Sequence, residues 1–194
     1  EGVDVAGHGT IGLITYLRTD SIRVSEEANA SAKEYISQNY GDEYFMIAES
    51  KKSNDKSIQD AHEAIRPTYV ELTPATVKDS LTREQFRLYQ LIWRRFLASR
   101  MQAAKYDTVS VKIDGGGYRF TASTASLAFK GFLTVYNDEE ENISTNNSGV
   151  QKLEKNDIVK LLSLEPAQHF TQPAPHYTEA SLVREMEELG IGRP

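Results

Sequence analysis

Tyr16 and Arg18 combine the residue types and the spacing that most directly suggest chemistry in this 194-residue chain. They lie two positions apart in the stretch ITYLRTDS, residues 14–21, which follows an apolar run. On a strand, side chains two residues apart project from the same face about 7 Å apart, so the arginine can reach whatever the tyrosine oxygen touches. A guanidinium binds phosphate oxygens in pairs and favours the phenolate form of a tyrosine. The pair therefore predicts a phosphate-ester site, against the alternative that two strand-end side chains pack by chance.

Three further motifs resemble known sites but lack a part that the chemistry needs. GHGTIG at 7–12 has the spacing of a dinucleotide-binding loop, yet such a loop follows a strand and opens a helix, whereas these glycines precede an apolar run. HEAIR at 62–66 begins like a zinc-protease helix but lacks the second histidine. The consecutive carboxylates at 138–141 are typical of a solvated turn rather than a metal cage. We therefore predict no nucleotide or metal site from these motifs.

The composition is that of a soluble globular protein. Hydrophobic residues make up 39% and charged residues 26%, which allows a sizeable core in one or two domains. No apolar stretch approaches the ~18 residues that a membrane-spanning helix needs, and no signal peptide is recognisable. The absence of cysteine excludes disulfides, iron–sulfur clusters and cysteine-based zinc sites, and it fits a reducing compartment. We therefore expect a cytoplasmic protein with no membrane partner.

Charge is unevenly distributed along the chain. The net charge of −6 argues against non-specific coating of nucleic acid, which normally leaves a basic footprint. Residues 71–105, however, carry seven basic and three acidic side chains, whereas residues 106–194 carry eight basic and thirteen acidic ones. A phosphate-binding surface is therefore expected in the first part of the chain.

The hydrophobic periodicity predicts an α+β fold in which a mainly helical part precedes a strand-rich part. A strand is predicted at 11–17 and a polar loop at 49–59. The first predicted helix starts after Ser25 and stops at Gly41, a helical turn is predicted at 60–67, and a short helix is predicted to start after Thr73. The strongest predicted helix covers 83–101 and starts with a Thr82–Gln85 capping box. The last predicted helix starts after Thr178 and stops at Gly190, with Leu182, Met186 and Leu189 inside. The later predicted strands are 106–114, 118–124, 131–136 and 158–164, with a glycine hairpin at 115–117.

Three stretches together, GLITYLRTDS at 12–21, DAHEAIRPT at 60–68 and ELGIGRP at 188–194, closely resemble bacterial DNA topoisomerases of the type IA family. The resemblance implies an enzyme that cleaves one DNA strand through a 5′-phosphotyrosine intermediate, passes a strand and religates, and so relaxes negative supercoils without ATP. It implies that Tyr16 is the nucleophile, that Arg18 holds the scissile phosphate and that His62 belongs to the active-site network. The residues expected to contact DNA are Arg193, Asp20, Arg66, Arg94 and Arg95.

The resemblance also implies a domain organisation. Residues 1–104 are expected to form the mainly helical domain with the catalytic tyrosine, 105–176 part of a strand-rich arch or hinge domain, and 177–194 the first helix of a following domain. Both ends would then be cut, and the TOPRIM domain that holds Mg²⁺ in this family would lie upstream. The expected partners are single-stranded DNA and the other domains of the same polypeptide, in a monomer associated with the bacterial nucleoid. We expect this stretch alone to bind no metal and to be inactive.

Two other functions remain open from the residues themselves. The arginine-rich helix at 83–100 could track phosphates while aromatic side chains stack bases, which would make the chain a non-catalytic module for single-stranded nucleic acid. Much of that aromatic stripe is expected to be core. The strand-rich half could instead serve as a protein-interaction scaffold.

Overall fold

The structure is a computed structural model that describes residues 2–5, 7–17, 19, 21–46, 62–136 and 149–191. Its residues form two compact units, Glu1–Gln151 and Lys152–Pro194. Helices and two antiparallel two-stranded sheets make up the described part, which confirms the predicted α+β class. The domain limits expected from the resemblance, 1–104, 105–176 and 177–194, stay a prediction. The predicted loop at 49–59 lies outside the described residues.

A small hairpin opens the first unit. Strand β1 (Val3–Val5) pairs antiparallel with β2 (Gly9–Ile11), and Val3 lies opposite Ile11. Gly7 and Gly9 have φ angles of 82° and 69°, a backbone conformation that favours glycine. Gly7 and Gly9 of GHGTIG thus form the turn and the start of a strand rather than a loop that opens a helix.

The segment that follows β2 carries Tyr16, and it is not the strand predicted at 11–17. Strand β2 ends at Ile11, and only an isolated bridge between Ile14 and Pro67 follows. The Thr68 amide donates to the Leu13 carbonyl at 2.9 Å, on one side of this bridge. A ladder cannot continue regularly across Pro67 because proline has no N–H to donate. The predicted helical turn at 60–67 is wrong where the structure describes it, since residues 62–67 form no helix and the backbone groups of Ala64 and Arg66 hydrogen-bond to Thr15 instead.

Helix α1 (Glu26–Asn39) has the predicted start and stop. The Ser25 hydroxyl accepts a hydrogen bond from the Ala28 amide, as expected of an N-cap, and Gly41 leaves the helix with a φ angle of 109°. Its buried face consists of Ala28, Ala32 and Ile36. The helix thereby fixes the chain that leaves the Tyr16 segment against the core.

Helix α2 (Pro74–Val77) and helix α3 (Arg83–Ala98) complete the helical body. Both sequence-predicted caps are present, Thr73 for α2 and the reciprocal Thr82–Gln85 capping box for α3. Two aromatic side chains of α3 lie buried and donate hydrogen bonds to the chain before α2: Tyr89 to the Leu72 carbonyl at 2.6 Å and Trp93 to the Val70 carbonyl at 2.9 Å. The aromatic stripe of α3 is therefore core, as expected. The buried core consists of Val5, Leu13, Ala28, Ala32, Ile36, Val70, Leu72, Val77, Tyr89, Trp93, Phe96, Leu97 and Met101.

A long hairpin follows α3. Strand β3 (Lys105–Gly115) pairs antiparallel with β4 (Tyr118–Phe129), and Gly116 and Gly117 form the turn with positive φ angles. This confirms the hairpin predicted from the triple glycine. The predicted strand at 131–136 is wrong, because Gly131–Thr134 forms a 3₁₀ turn. Gly131 has a φ angle of 50°, and a Cβ there would overlap the Gln102 carbonyl, so the backbone folds back tightly on the segment between α3 and β3.

The second unit contains helix α4 (Glu179–Glu188). Thr178 and Ser181 cap it reciprocally, and Gly190 follows it with a φ angle of 67°, as predicted. Its apolar residues, predicted to lie inside, are exposed: Leu182, Met186 and Leu189. The predicted strand at 158–164 is absent from this described unit, because no neighbouring strand there offers backbone hydrogen bonds.

Candidate active site

Tyr16 presents its side chain to solvent from an anchored backbone. The side chain is 74% exposed, whereas Leu13, three residues earlier, is buried in the core. Between them, Ile14 forms the bridge to Pro67 and packs against the core. A nucleophile needs this combination, since its oxygen must be accessible while its backbone stays in place.

The structure brings His62 next to Tyr16. The centroids of the two rings lie 6.5 Å apart, and the ring planes are inclined by 32°. His62 is half-buried, in contrast to the exposed Tyr16. Two of the three residues predicted to be catalytic therefore share one site, although they come from separate motifs.

Thr15 joins the two segments that carry these rings. Its hydroxyl donates to the Ala64 carbonyl at 3.0 Å and accepts a hydrogen bond from the Arg66 amide at 3.0 Å. Its own amide donates to the Arg66 carbonyl at 2.9 Å. Thr15 is thus hydrogen-bonded to both neighbours of residue 65, Ala64 and Arg66. The loop that begins at His62 therefore cannot shift freely along the Tyr16 segment.

An ion pair closes the same loop. The Arg66 guanidinium donates to one carboxylate oxygen of Glu63 from Nε at 2.9 Å and from Nη2 at 2.7 Å. Burial raises the pKa of Glu63, but hydrogen bonds from Arg66 and from Ser25 oppose it and hold that pKa below its ordinary value. Ser25 is also the N-cap of α1, so the loop is tied to the start of that helix.

Comparison with known proteins shows which family this chain belongs to. The family model described as DNA topoisomerase matches residues 9–194, almost the whole chain. The chain belongs to the DNA topoisomerase family. The bacterial topoisomerase resemblance inferred from the three motifs is thereby confirmed.

One solved structure extends this finding to the fold. Full-length topoisomerase I from Thermotoga maritima is similar to this topoisomerase chain at 35% sequence identity, with a TM-score of 0.66. The match covers 98% of this chain and 30% of the Thermotoga chain. This topoisomerase chain therefore spans about a third of the length of that protein.

The other predicted site residues are not all described by the structure. Arg18, Asp20 and Arg193 lie outside the described residues. Arg66, predicted to contact DNA, lies mostly covered with 14% of its side chain exposed and is bonded to Glu63. That predicted contact is untested, and the structure shows instead what Arg66 touches within its own chain.

Helix α3 carries the remaining predicted DNA contacts. Arg94 and Arg95 are both exposed. Arg95 donates to the Tyr136 hydroxyl at 3.2 Å, and its guanidinium carbon lies 5.2 Å from the centre of that ring. Arg94 has no ion pair within the described part of the chain. Arg95 therefore shares one donor with Tyr136, whereas the exposed Arg94 shares none in an ion pair with the described residues.

Sequence reasoning missed Thr15, Glu63 and Ser25 as members of the site. A signal was present for Glu63, because it stands three residues before Arg66, a spacing at which opposite charges meet in a compact turn. Thr15 gave no signal, since its partners are 49 and 51 residues further along the chain. Only the tertiary structure shows that it joins the two motifs.

No group of three or more histidine, cysteine, aspartate or glutamate side chains comes together among the described residues in a way that could hold a metal ion. None of the described helices is long and apolar enough to cross a membrane.

Proposed function

We propose that this chain carries the nucleophile of a type IA DNA topoisomerase, with Tyr16 as the attacking residue. The observation that carries the proposal is the placement of an exposed Tyr16 on an anchored segment beside His62, in a chain of the DNA topoisomerase family. The substrate would be a single strand in negatively supercoiled DNA. The enzyme would act in the cytoplasm, at the nucleoid.

The proposed reaction exchanges one phosphodiester for another. The Tyr16 oxygen attacks phosphorus in line, and a bond from that oxygen to the 5′ phosphate forms as the bond to the 3′ oxygen breaks. The phenolic proton is released, and the 3′ oxygen takes up a proton. Because the phosphotyrosine retains the energy of the broken bond, the 3′ hydroxyl can reverse the step after strand passage without ATP.

Two cationic or polar side chains would stabilise the charge that develops on phosphorus. Arg18 follows Tyr16 by two residues, and its planar guanidinium can bind two phosphate oxygens at once. His62 would complete the network from the other segment, a role that its ring contact with Tyr16 supports. Donors fixed before the reaction stabilise such charge most effectively, because they need no reorganisation.

The remaining chemistry would come from outside this chain. We propose that Mg²⁺ is held by a TOPRIM domain, which would supply positive charge near the phosphate. The same domain would provide a group that protonates the 3′ oxygen, and losing one such acid typically costs 10² to 10⁴ in rate. On this proposal the chain alone is inactive, and it works as a monomer together with the other domains of its polypeptide.

A second candidate function is a non-catalytic module for single-stranded nucleic acid. The exposed arginines of α3 favour it, since they could bind phosphates without any reaction. This alternative predicts binding that does not depend on Tyr16 and never produces a covalent product. The two functions are therefore separated by the covalent step.

The test is adduct trapping in a complete topoisomerase that contains this chain. Labelled single-stranded DNA and Mg²⁺ are added, the reaction is stopped with denaturant, and protein-linked DNA is measured. We expect an adduct with the native protein and none with Tyr16→Phe, while DNA affinity is retained. Tyr118→Phe is the matched control, because Tyr118 is also 74% exposed but lies at the tip of the β3–β4 hairpin. Adduct formation by Tyr16→Phe at the native level would contradict the proposal.

A further inference from the structure

The loop that carries His62 is attached to the Tyr16 segment through one side chain. Thr15 uses its hydroxyl as donor to Ala64 and as acceptor from the Arg66 amide, both at 3.0 Å. Together with its amide bond to the Arg66 carbonyl, Thr15 makes contacts on both sides of Ile65. A serine could keep the hydroxyl bonds, whereas a valine of nearly the same shape would lose both.

The loop is closed on its other side by Glu63 and Arg66. The side chain of Glu63 is 21% exposed, and it receives two donors from Arg66 and further hydrogen bonds from Ser25. The Ala64 amide donates to the Arg23 carbonyl at 2.8 Å, which adds a backbone link to the chain before α1. The two residues directly after His62 are therefore held from separate places in the sequence: Glu63 by Arg66 and Ser25, and Ala64 by Arg23.

Arg66 uses its donors within this loop. Nε and Nη2 donate to Glu63, and Nη1 donates to the Pro67 carbonyl at 3.0 Å. A guanidinium has five N–H donors, and with 14% of the side chain exposed few of them are available to an outside phosphate. The contacts favour an internal role over the DNA contact expected from the sequence.

We propose that Thr15 and the Glu63–Arg66 ion pair are positioning residues that hold His62 beside Tyr16. The proposal rests on the proposed function, because positioning matters only if the Tyr16–His62 site performs a reaction. None of the three needs to touch DNA. Displacing a reacting group by about 1 Å can cost on the order of 100-fold in rate, so loosening the loop should slow cleavage much more than it weakens binding.

The first test compares Glu63→Gln, Arg66→Gln and the double variant in a complete topoisomerase. The rate of adduct formation is measured at saturating single-stranded oligonucleotide, and the Kd is measured separately without Mg²⁺. We expect each single variant to cleave about tenfold to 100-fold more slowly with an unchanged Kd, and the double variant to be no slower than the singles. Arg119→Gln is the control, since it breaks the Asp114–Arg119 pair at the exposed hairpin tip.

Two results would overturn the proposal. If Arg66 binds DNA, Arg66→Gln will raise the Kd and lower the salt dependence by about 0.7 in the log–log slope, while Glu63→Gln will leave cleavage at the native rate. If the pair only stabilises the fold, both variants will melt at a lower temperature but cleave at the native rate below that temperature.

Thr15 provides a second line should the charge variants fail to fold. Thr15→Val keeps the branched shape and removes the hydroxyl, so we expect slow cleavage with an unchanged Kd. Thr15→Ser restores the hydroxyl and should recover most of the rate. Native cleavage in Thr15→Val, or no recovery in Thr15→Ser, would contradict the positioning role.

Failure of the proposed function gives a different pattern. The native protein and Tyr16→Phe are included in each assay. If the native protein forms no adduct, or Tyr16→Phe forms as much as the native protein, the proposed nucleophile is wrong and the positioning proposal falls with it. If Tyr16→Phe alone loses the adduct while the loop variants cleave normally, only the positioning proposal is wrong.

Discussion

Arg18 follows Tyr16 by two residues, and its expected role depends on the shape of its head group as well as on its charge. Arg18→Lys keeps the charge but loses the planar fork that binds two phosphate oxygens. In a complete topoisomerase we expect cleavage at least about 100-fold slower, similar to the loss of one donor to a developing oxyanion. The melting temperature should stay close to that of the native protein. Unchanged cleavage, or an unfolded variant, would show that Arg18 does not act on the phosphate.

Glu63 makes the stability of the folded protein depend on pH. Its pKa lies below its ordinary value of 4.5 in the folded chain, so its ionised form contributes stability that is present above about pH 4.5. This contribution is lost as the pH falls through the lower folded-state pKa. We therefore expect the native protein to lose more stability in acid than Glu63→Gln, in thermal melts recorded over a pH series. Parallel losses in the two proteins would show that the Glu63 carboxylate is not held by Arg66 and Ser25 in solution.

At the scale of secondary-structure elements, α3 presents basic side chains on one side. Arg83, Arg87 and Arg94 are exposed, and at 100° per residue they fall within an arc of about 40°. None of the three forms an ion pair within the described part of the chain. The buried aromatic residues of α3 lie on a different side, so these arginines can bind DNA without disturbing the core.

Replacing these three arginines by glutamine should weaken single-stranded DNA binding and make it less sensitive to salt. If each binds one phosphate, the log–log salt slope falls by about 2 in total, at roughly 0.7 per phosphate. Fluorescence anisotropy over a salt series measures both quantities. The control triple variant, Lys112→Gln, Arg119→Gln and Arg184→Gln, removes the same charge from exposed positions elsewhere. Equal effects of the two triple variants would mean that net charge, not α3, determines binding.

Elements with local signals were predicted correctly from the sequence. The Thr82–Gln85 capping box defined the start of α3, and the glycines at 115–117 defined the β3–β4 turn. The strand predicted at 11–17 failed because its partner contains Pro67, which interrupts the ladder. The strand predicted at 131–136 failed because Gly131 folds back against the Gln102 carbonyl, a contact between distant residues that no local pattern records.

The candidate site shows the same division. Tyr16 could be singled out from its residue type and its spacing to Arg18, and His62 from the family resemblance of its motif. Their proximity could not, since it depends on hydrogen bonds from Thr15 to a loop 49 residues further along. The contact between Arg66 and Glu63 was not predicted either, because the sequence-based prediction for Arg66 considered its charge and not its neighbours in the fold.

At the scale of the whole molecule, the chain spans 30% of the length of the similar Thermotoga topoisomerase I. We expect the chain alone to form no covalent adduct with labelled single-stranded DNA in Mg²⁺, because on the proposed mechanism the acid for the leaving 3′ oxygen comes from another domain. Gel analysis after denaturation measures this, with a complete topoisomerase in parallel. An adduct at Tyr16 would show that the additional domain is dispensable for cleavage.

The central claim is that Tyr16 becomes covalently joined to the 5′ end of a cleaved DNA strand, and mapping the trapped adduct tests it most directly. A complete topoisomerase is reacted with single-stranded DNA, denatured and digested with protease and nuclease, and the modified peptide is identified by mass spectrometry. We predict a nucleotide joined through its 5′ phosphate to the peptide that contains Tyr16, and a free 3′ hydroxyl on the released DNA fragment. A modification on any other residue, or a 3′-phosphate linkage at Tyr16, would contradict the account.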